Sequence, residues 1–326
     1  MRRVLITLVV LLSISEAREY LVSWNDSKSK NEIIEFVIKT TNAKGSYFIA
    51  KEDRVVVFDN DGTLWSEKPM YFQLYFILDR VKELAGKHPK WATKEPFKSA
   101  IDGNITKVLS FGEKGLIELA TAIQSGMSVP QYQEIVRRWL KESKHPRFNR
   151  PYSDLIYQPM MELITYLEAN DFKVYIVSGG GIDFMRAFIP ALYDIPTEQI
   201  IGSSGVVKYL NGKIIKEPKI NFIDDKDTKP VAINYHIGKR PVASFGNSDG
   251  DLAMMKYSYA GRGERFQLYV HHTDEVREWA YDRNSTVGRL DKGLDYAENR
   301  RWTIVDMKKD WKVVYPFELN QKNSRK

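Results

Sequence analysis

The sequence predicts an α/β fold: a doubly wound, mostly parallel, Rossmann-like sheet with a helical cap inserted after the first strand. Three observations carry this reading. RVVVFD at 54–59 and KVYIVS at 173–178 are continuous apolar runs rich in β-branched residues, the pattern of strands buried on both faces of a parallel sheet. The stretch between them has helical periodicity, and strands and helices alternate again after the second run. The chain has 326 residues, enough for one large or two modest domains.

Met1-Arg2-Arg3, an apolar run from Val4 to Ile14 broken only by Thr7 and Ser13, and small residues at Ser15 and Ala17 have the three-part layout of a secretory signal. Residues 1–17 are therefore expected to be a signal peptide, and the protein to be exported, periplasmic or secreted. A helical pattern follows, carried by Ile33, Ile34, Phe36, Val37 and Ile38. The first buried run ends in the turn Asn60-Asp61-Gly62-Thr63, and helices are expected at 70–86, 114–125 and 130–142. A helix at 159–170 leads into the second run, which is closed by Gly179-Gly180-Gly181 and followed by a helix from Ile182. Asn211-Gly212 suits the tight turn of a hairpin, and Pro230 the first turn of a helix starting near Lys229. Val242 to Gly246 and Phe266 to His271 read as further strands. The expected organisation is a core of residues 18–66 and 153–326 with a helical cap at 67–152.

Composition excludes several classes. Hydrophobic residues at 43% and charged residues at 28% describe an ordinary globular chain, and no internal stretch approaches the roughly 18 apolar residues of a membrane span. Forty-nine Lys and Arg against 42 Asp and Glu give +7, an excess that reads first as an ordinary solvated surface and second as a preference for anionic ligands. These basic residues are scattered, without the clustered, aromatic-interleaved pattern of a nucleic-acid surface. There is no cysteine, so thiol nucleophiles, disulfides and thiolate metal sites are absent, and any metal must sit on oxygen or imidazole.

In open α/β sheets the ligand crevice lies at the carboxyl ends of the strands. Three strand ends here carry Asp59-x-Asp61, Ser178-Gly-Gly-Gly and Gly246-Asn247-Ser248-Asp249-Gly250-Asp251. Two carboxylates in a turning segment can share one pocket, one attacking while the other handles a proton. Ser178 and the glycines offer a hydroxyl and bare N–H groups for a phosphate, Lys229 a fixed positive charge, and the acidic turn oxygen ligands for a hard cation. Together they describe phosphoryl transfer.

FDNDGTLW (58–65), IVSGGG (176–181), Lys229 and FGNSDGDLAMM (245–255) resemble the four ordered motifs of the haloacid dehalogenase superfamily, in its phosphoserine-phosphatase-like branch. The tail from HHTDEVREWAYDR to DMKKDWK resembles exported bacterial members. The resemblance implies an exported, magnesium-dependent phosphatase acting on a small phosphomonoester. Asp59 would be the nucleophile and Asp61 the acid and then base; Thr63 would brace the loop and, with Ser178, Gly179 and Lys229, form the phosphate site. Magnesium would be held by Asp59, the Asp61 carbonyl, Asn247 and Asp251. Asn247 stands where the family usually has an aspartate, so one charge is lost there, and Asp249 is a further candidate to restore it. Alternatives are phosphotransfer to an alcohol and non-catalytic anion binding. Trp65, Glu67 and Arg138 are candidates for contact with substrate, Trp65 by stacking on an aryl or nucleoside group. The acid that binds the ammonium of a free amino acid in that branch falls here on Lys68. His271-His272 reads either as pocket-facing or as a pair satisfied elsewhere, the latter favoured.

Overall fold

The computed structural model describes residues 18–319, so the expected signal segment and the basic end at 322–326 lie outside the described residues. The first strand, β1 (Val55–Phe58), is buried along its whole length. It pairs in parallel with β2 (Lys173–Gly181) and with β5 (Ala243–Gly246), so it lies at the centre of the sheet. On the β2 side follow β3 (Ile200–Leu210), parallel, and β4 (Lys213–Phe222), antiparallel; on the β5 side follow β6 (Phe266–Thr273), parallel, and β7 (Ala280–Tyr281), antiparallel. The strand β8 (Thr303–Asp306) pairs in parallel with β6. The mostly parallel α/β architecture thus matches the sequence expectation.

Alternation along β1 sends Val56 and Phe58 to one face and Val55 and Val57 to the other. The first face is covered by α1 (Lys28–Thr41), through Ile33, Phe36 and Val37, and by the helix Gln158–Ala169, through Met160, Leu163 and Leu167. The second is covered by Ala232, Ile233 and Met254, from the helices Lys229–His236 and Leu252–Tyr259.

Between β1 and β2 the chain is helical: α2 (Phe72–Leu84), the short α3 (Phe97–Ile101) and α4 (Ile105–Ser110), α5 (Gly112–Ala122) and α6 (Val129–Glu142). The expected helices at 70–86, 114–125 and 130–142 correspond to α2, α5 and α6. The way in and the way out of this insert pair with each other. Ser66 N–H donates to the Leu155 carbonyl at 3.0 Å, Tyr157 N–H to the Leu64 carbonyl at 2.8 Å, and Trp65 bridges Ile156 antiparallel. The helix Gln158–Ala169, α7, then leads back to the sheet.

Two segments differ from expectation. The helix expected from Ile182 is only α8 (Ile182–Met185), followed by α9 (Ile189–Tyr193), and β2 runs on through the glycines with a register shift against β3 between Ser178 and Gly181. β3 is longer than the hairpin strand expected: its first residues join the central sheet beside β2, and its last ones form the hairpin with β4. At the hairpin tip both Asn211 and Gly212 have positive φ, 48° and 78°, as the tight turn requires. The remaining helices are α10 (Lys229–His236), α11 (Leu252–Tyr259), α12 (Lys292–Arg300) and α13 (Met307–Asp310).

The loop from β4 to α10 buries Asp224 completely, and neither of its carboxylate oxygens has a hydrogen-bond partner. Burial, only partly opposed by the nearby Lys229 charge, pushes this carboxyl up to about 7. The fold therefore favours the protonated form, and stability is lost as pH rises from the unfolded value near 4 through about 7. Asp224→Asn, which has no proton to lose, should be more stable than the wild type by a margin that grows across this window and then levels off at about 2–4 kcal/mol. Urea unfolding at pH 5, 6, 7 and 8 measures it; a margin independent of pH would contradict the assignment.

Candidate active site

The carboxyl ends of β1, β2 and β5 meet at the Lys229 side chain, which rises from the first turn of α10 and is 2% exposed. Its ammonium donates to Asp59 Oδ1 at 2.6 Å, to the Val177 carbonyl at 3.0 Å and to Asp251 Oδ1 at 2.7 Å. All three ammonium hydrogens are used. Burial alone would lower the pKa of this lysine, but the Asp251 and Asp59 carboxylates outweigh burial and hold it above its usual value. Burial, reinforced by the Asp251 charge, pushes Asp59 well above the ordinary carboxylate range.

Asp59 follows the last residue of β1 and faces a cavity of about 360 Å³. Its Oδ1 is held by Lys229; Oδ2 makes no hydrogen bond within the described residues. Asp61 lines the same cavity, accepts a hydrogen bond from Trp65 Nε1 at 2.8 Å, and is pushed by burial up to about 6. Between them the chain turns tightly, with Thr63 N–H and Leu64 N–H donating to the Asn60 carbonyl and Gly62 at φ 74°. A Cβ on Gly62 would stand 2.0 Å from Asn247 Nδ2, so both conformation and space require glycine there.

Ser178 and the three glycines line the cavity beside Asp59. The Ser178 hydroxyl accepts from Gly180 N–H at 3.1 Å, and Gly181 N–H donates to Gln73 Oε1 on α2 at 2.8 Å. The insert thus touches the glycine segment directly. Because α8 has only four residues, this segment can contribute a hydroxyl and backbone N–H groups but little helix dipole.

Asp251 is fully buried: Oδ1 takes Lys229, and Oδ2 accepts the N–H groups of Asn247 at 3.0 Å and Ser248 at 3.1 Å. Asn247 donates from Nδ2 to Glu67 Oε1 at 2.6 Å and accepts at Oδ1 from the Thr63 hydroxyl at 3.3 Å. Asp249 does not join them. Its Oδ1 accepts from the N–H groups of Asp291 and Gly293 at the start of α12, so it anchors that helix and restores no charge beside Asn247.

Three other sequence candidates are placed differently from expectation. Trp65 does not line the cavity: its ring stacks on Phe188 at 4.6 Å and meets Phe72 edge-on, and its N–H holds Asp61. Arg138 is exposed on α6 and is not among the cavity walls. Thr63 is buried behind the loop, so it braces Asn247 and does not face a phosphate. Glu67 does line the cavity, buried, with Asn247 Nδ2 and the Tyr281 hydroxyl both donating to Oε1; burial lifts it well above the usual range.

Among the described residues no three His, Cys, Asp or Glu side chains form a ready cation cage. The electrostatics nevertheless fit a dication. Asp59, Asp61, Glu67 and Asp251 are four acidic side chains on one cavity whose lining includes two cations, Lys216, taken by Asp183, and Lys229, shared by Asp59 and Asp251. The donors on hand, the Asp59 and Asp251 carboxylates, the Asn247 amide and the Asp61 carbonyl, are all hard oxygens, as magnesium prefers.

A second layer supports the loop. His272 on β6 is buried; its Nε2 must donate to the Gly62 carbonyl at 2.8 Å, and its Nδ1 faces Glu278 Oε2 at 3.1 Å. Glu278, also buried, accepts from the Tyr157 hydroxyl and from Trp279 N–H, and Tyr281 stacks on the His272 ring at 4.3 Å. The histidine doublet was the visible signal; Glu278 and Tyr281 carried none. His271 stands apart, 3.4 Å from Asp282.

The sequence model of the haloacid dehalogenase-like hydrolases matches residues 56–256, more than half of the chain. Among solved structures, the chain is similar to a conserved protein of unknown function from Anaerococcus prevotii DSM 20548, with 16% identity over 78% of this chain and 88% of that one and a TM-score of 0.54. It is also similar to a protein of unknown function from Bordetella pertussis Tohama I, with 14% identity, 78% and 98% covered, and a TM-score of 0.49. A phosphoserine phosphohydrolase-like protein from Francisella tularensis subsp. tularensis SCHU S4 matches at 16% identity, 76% and 99% covered, with a TM-score of 0.41. The Anaerococcus likeness supports the fold alone. No curated protein matches the chain.

Removing the His272 ring would leave the Gly62 carbonyl without its donor and take from Glu278 one of its three partners. His272→Ala should therefore lower stability by about 2 kcal/mol or more, through the lost hydrogen bonds and the cavity left by the ring. Chemical denaturation checks this, and a loss below about 1 kcal/mol would contradict the anchoring role.

Proposed function

Since the chain belongs to the haloacid dehalogenase-like hydrolase family, we propose that it is a magnesium-dependent phosphatase that hydrolyses small phosphomonoesters through an aspartyl-phosphate. The observation that carries this reading is the free Oδ2 of Asp59 in the same cavity as Asp61, with Oδ1 fixed by Lys229. Asp59 Oδ2 attacks phosphorus as the ester P–O bond breaks, and Asp61 gives its proton to the departing oxygen. Asp61, now a carboxylate, takes a proton from water as that water attacks the aspartyl-phosphate, which releases phosphate and restores Asp59. A carboxyl pushed up to about 6 suits a group that must be acid in one step and base in the next. The Ser178 hydroxyl and the Gly179 N–H bind the phosphoryl oxygens, and the Lys229 charge, held beside Asp59, offsets their charge without a hydrogen bond of its own to them. When bound, magnesium supplies further neutralisation of those oxygens, held by Asp59, the Asp61 carbonyl, Asn247 and Asp251, with Glu67 fixing the Asn247 amide. The helical insert serves as the cap: Gln73 brings it against the glycine segment, where it excludes bulk water.

Asp59→Asn and Asp61→Asn should each lower kcat for an aryl phosphate by at least about a thousandfold while the protein stays folded. Near wild-type turnover in a folded variant would end this mechanism. Activity should vanish in EDTA and return with magnesium, and Asp251→Asn should raise the magnesium needed for half-maximal activity far more than Asp249→Asn, whose side chain anchors α12. Export is part of the same proposal, supported by the basic, apolar and small-residue layout of residues 1–17. N-terminal sequencing of the protein from its native host should begin near Arg18; an intact Met1 would overturn it.

A further inference from the structure

The cavity that opens at Asp59 continues between the helical insert and the β3–β4 hairpin. Its walls there are largely apolar: Ile77, Leu116, Ile117, Phe184 and Ile220. The polar lining includes four side chains from four separate segments, Gln124 just beyond α5, Tyr132 on α6, Asp183 on α8 and Lys216 on β4, alongside Glu113 of α5 and Ser203 and Ser204 of β3. The hairpin is stitched to the insert at this point, since Lys216 N–H donates to the Met127 carbonyl and Gly126 N–H to the Lys216 carbonyl.

Two of the four are already committed to each other. The Lys216 ammonium is ion-paired with Asp183 and lies 5.1 Å from the centroid of the Tyr132 ring, so the pair presents no net charge. The other two are not committed. Gln124 is 9% exposed and Tyr132 is 4% exposed, and neither the Gln124 amide nor the Tyr132 hydroxyl makes a hydrogen bond within the described residues. Two polar groups of largely buried residues, open to the cavity and without protein partners, mark a place where a ligand can supply hydrogen bonds. Burial pushes the Tyr132 hydroxyl up, so it faces the ligand as a neutral donor and acceptor.

The chemistry of the walls selects the ligand. A free amino acid needs an uncommitted cation for its carboxylate, and the two lysines of the lining are taken, Lys216 by Asp183 and Lys229 by Asp59 and Asp251. A bare sugar or polyol has hydroxyls on every side, which aliphatic walls would strip of water without replacement. A flat heterocycle buries its faces against such walls and keeps its donors and acceptors at its edge, where an amide with both functions and a hydroxyl can meet them. The whole cavity, from Asp59 to Gln124, is about 360 Å³, within the range of small-molecule sites.

We infer that the distal part of the cavity is a base-recognition subsite in which the Gln124 amide and the Tyr132 hydroxyl read the edge of a neutral heterocycle, so that the substrates are nucleoside monophosphates; this rests on the phosphatase reading above. The ester P–O bond breaks, Asp61 protonates the nucleoside oxygen, and water completes the phosphate. Contact with the substrate's ring thus falls to Gln124 and Tyr132, while Trp65, expected to stack on it, is turned to Asp61.

Calorimetric titration of the full-length folded protein with free adenosine, cytidine, ribose and L-serine tests the subsite without relying on turnover. At least one of the two nucleosides should bind at least tenfold more tightly than ribose or serine, and Gln124→Ala and Tyr132→Phe should each weaken nucleoside binding at least fivefold, with thermal melts confirming that both variants fold. Nucleosides binding no better than ribose or serine, or full affinity in both variants, would overturn the subsite. Phosphate release from adenosine and cytidine monophosphates and from an aryl phosphate separates the two readings. Nucleoside binding with no hydrolysis of any ester would support the subsite and overturn the phosphatase; aryl phosphate hydrolysis without nucleoside binding would do the reverse.

Discussion

The three hydrogen bonds of the Lys229 ammonium tie the ends of β1 and β2 to the loop after β5, through Asp59, the Val177 carbonyl and Asp251, and the geometry of the site depends on them. The arrangement is stable only as a whole. Two buried carboxylates would repel each other without the cation, and the cation could not stay charged at 2% exposure without them. It also fixes where α10 must begin. Pro230 in its first turn gives up no hydrogen bond there, since that N–H would have no partner within the helix.

Behind this centre the turn at 60–63 is held at two points. Glu67 and Thr63 grip the Asn247 amide from opposite ends, and His272 grips the Gly62 carbonyl from below. Tyr281 joins the two systems, its ring stacked on His272 and its hydroxyl on Glu67. Side chains held in this way have little freedom to drift, as the proposed attack by Asp59 would require. An amide at position 247 is also what this network needs, because a carboxylate there would face Glu67 with no hydrogen to give.

The central strands and the four motif segments were legible because each is a local pattern: an apolar run, then a turn of small and acidic residues. Lys229 could be placed only by its order in the chain, yet it is the residue the strand ends share. Other features were not legible, since they depend on partners far away in sequence. Nothing local separates Asp249 from Asp251, two acids in one turn, and only the arrival of α12 takes Asp249 away from the site. Trp65 looked like a platform for a ring because its environment, Phe72, Phe188 and Asp61, comes from segments that meet only in the fold. The Gly179–Gly181 segment was expected to turn into a helix at once; pairing with β3 draws it on as an irregular strand instead. The histidine doublet could be noticed but not interpreted, since Glu278 is a tertiary partner in a segment with no regular pattern.

The pairing of residues 64–66 with 155–157 has a consequence for how such a chain assembles. Phe58 and Ile176 lie side by side in the sheet although the whole insert separates them in sequence. Closing a loop of that length costs entropy, and the cost rises with the number of residues enclosed. Once the two linkers have zipped together, the insert becomes a side branch that opens and closes on itself, and the segment left to close between β1 and β2 shrinks to little more than the catalytic turn and α7. Seen from the nascent sheet, β1 and β2 are then near neighbours, and this central parallel pair no longer carries the kinetic handicap of distant contacts. The same zipper stands directly behind Asp61, so the catalytic turn acquires its shape at the step that brings the central strands together.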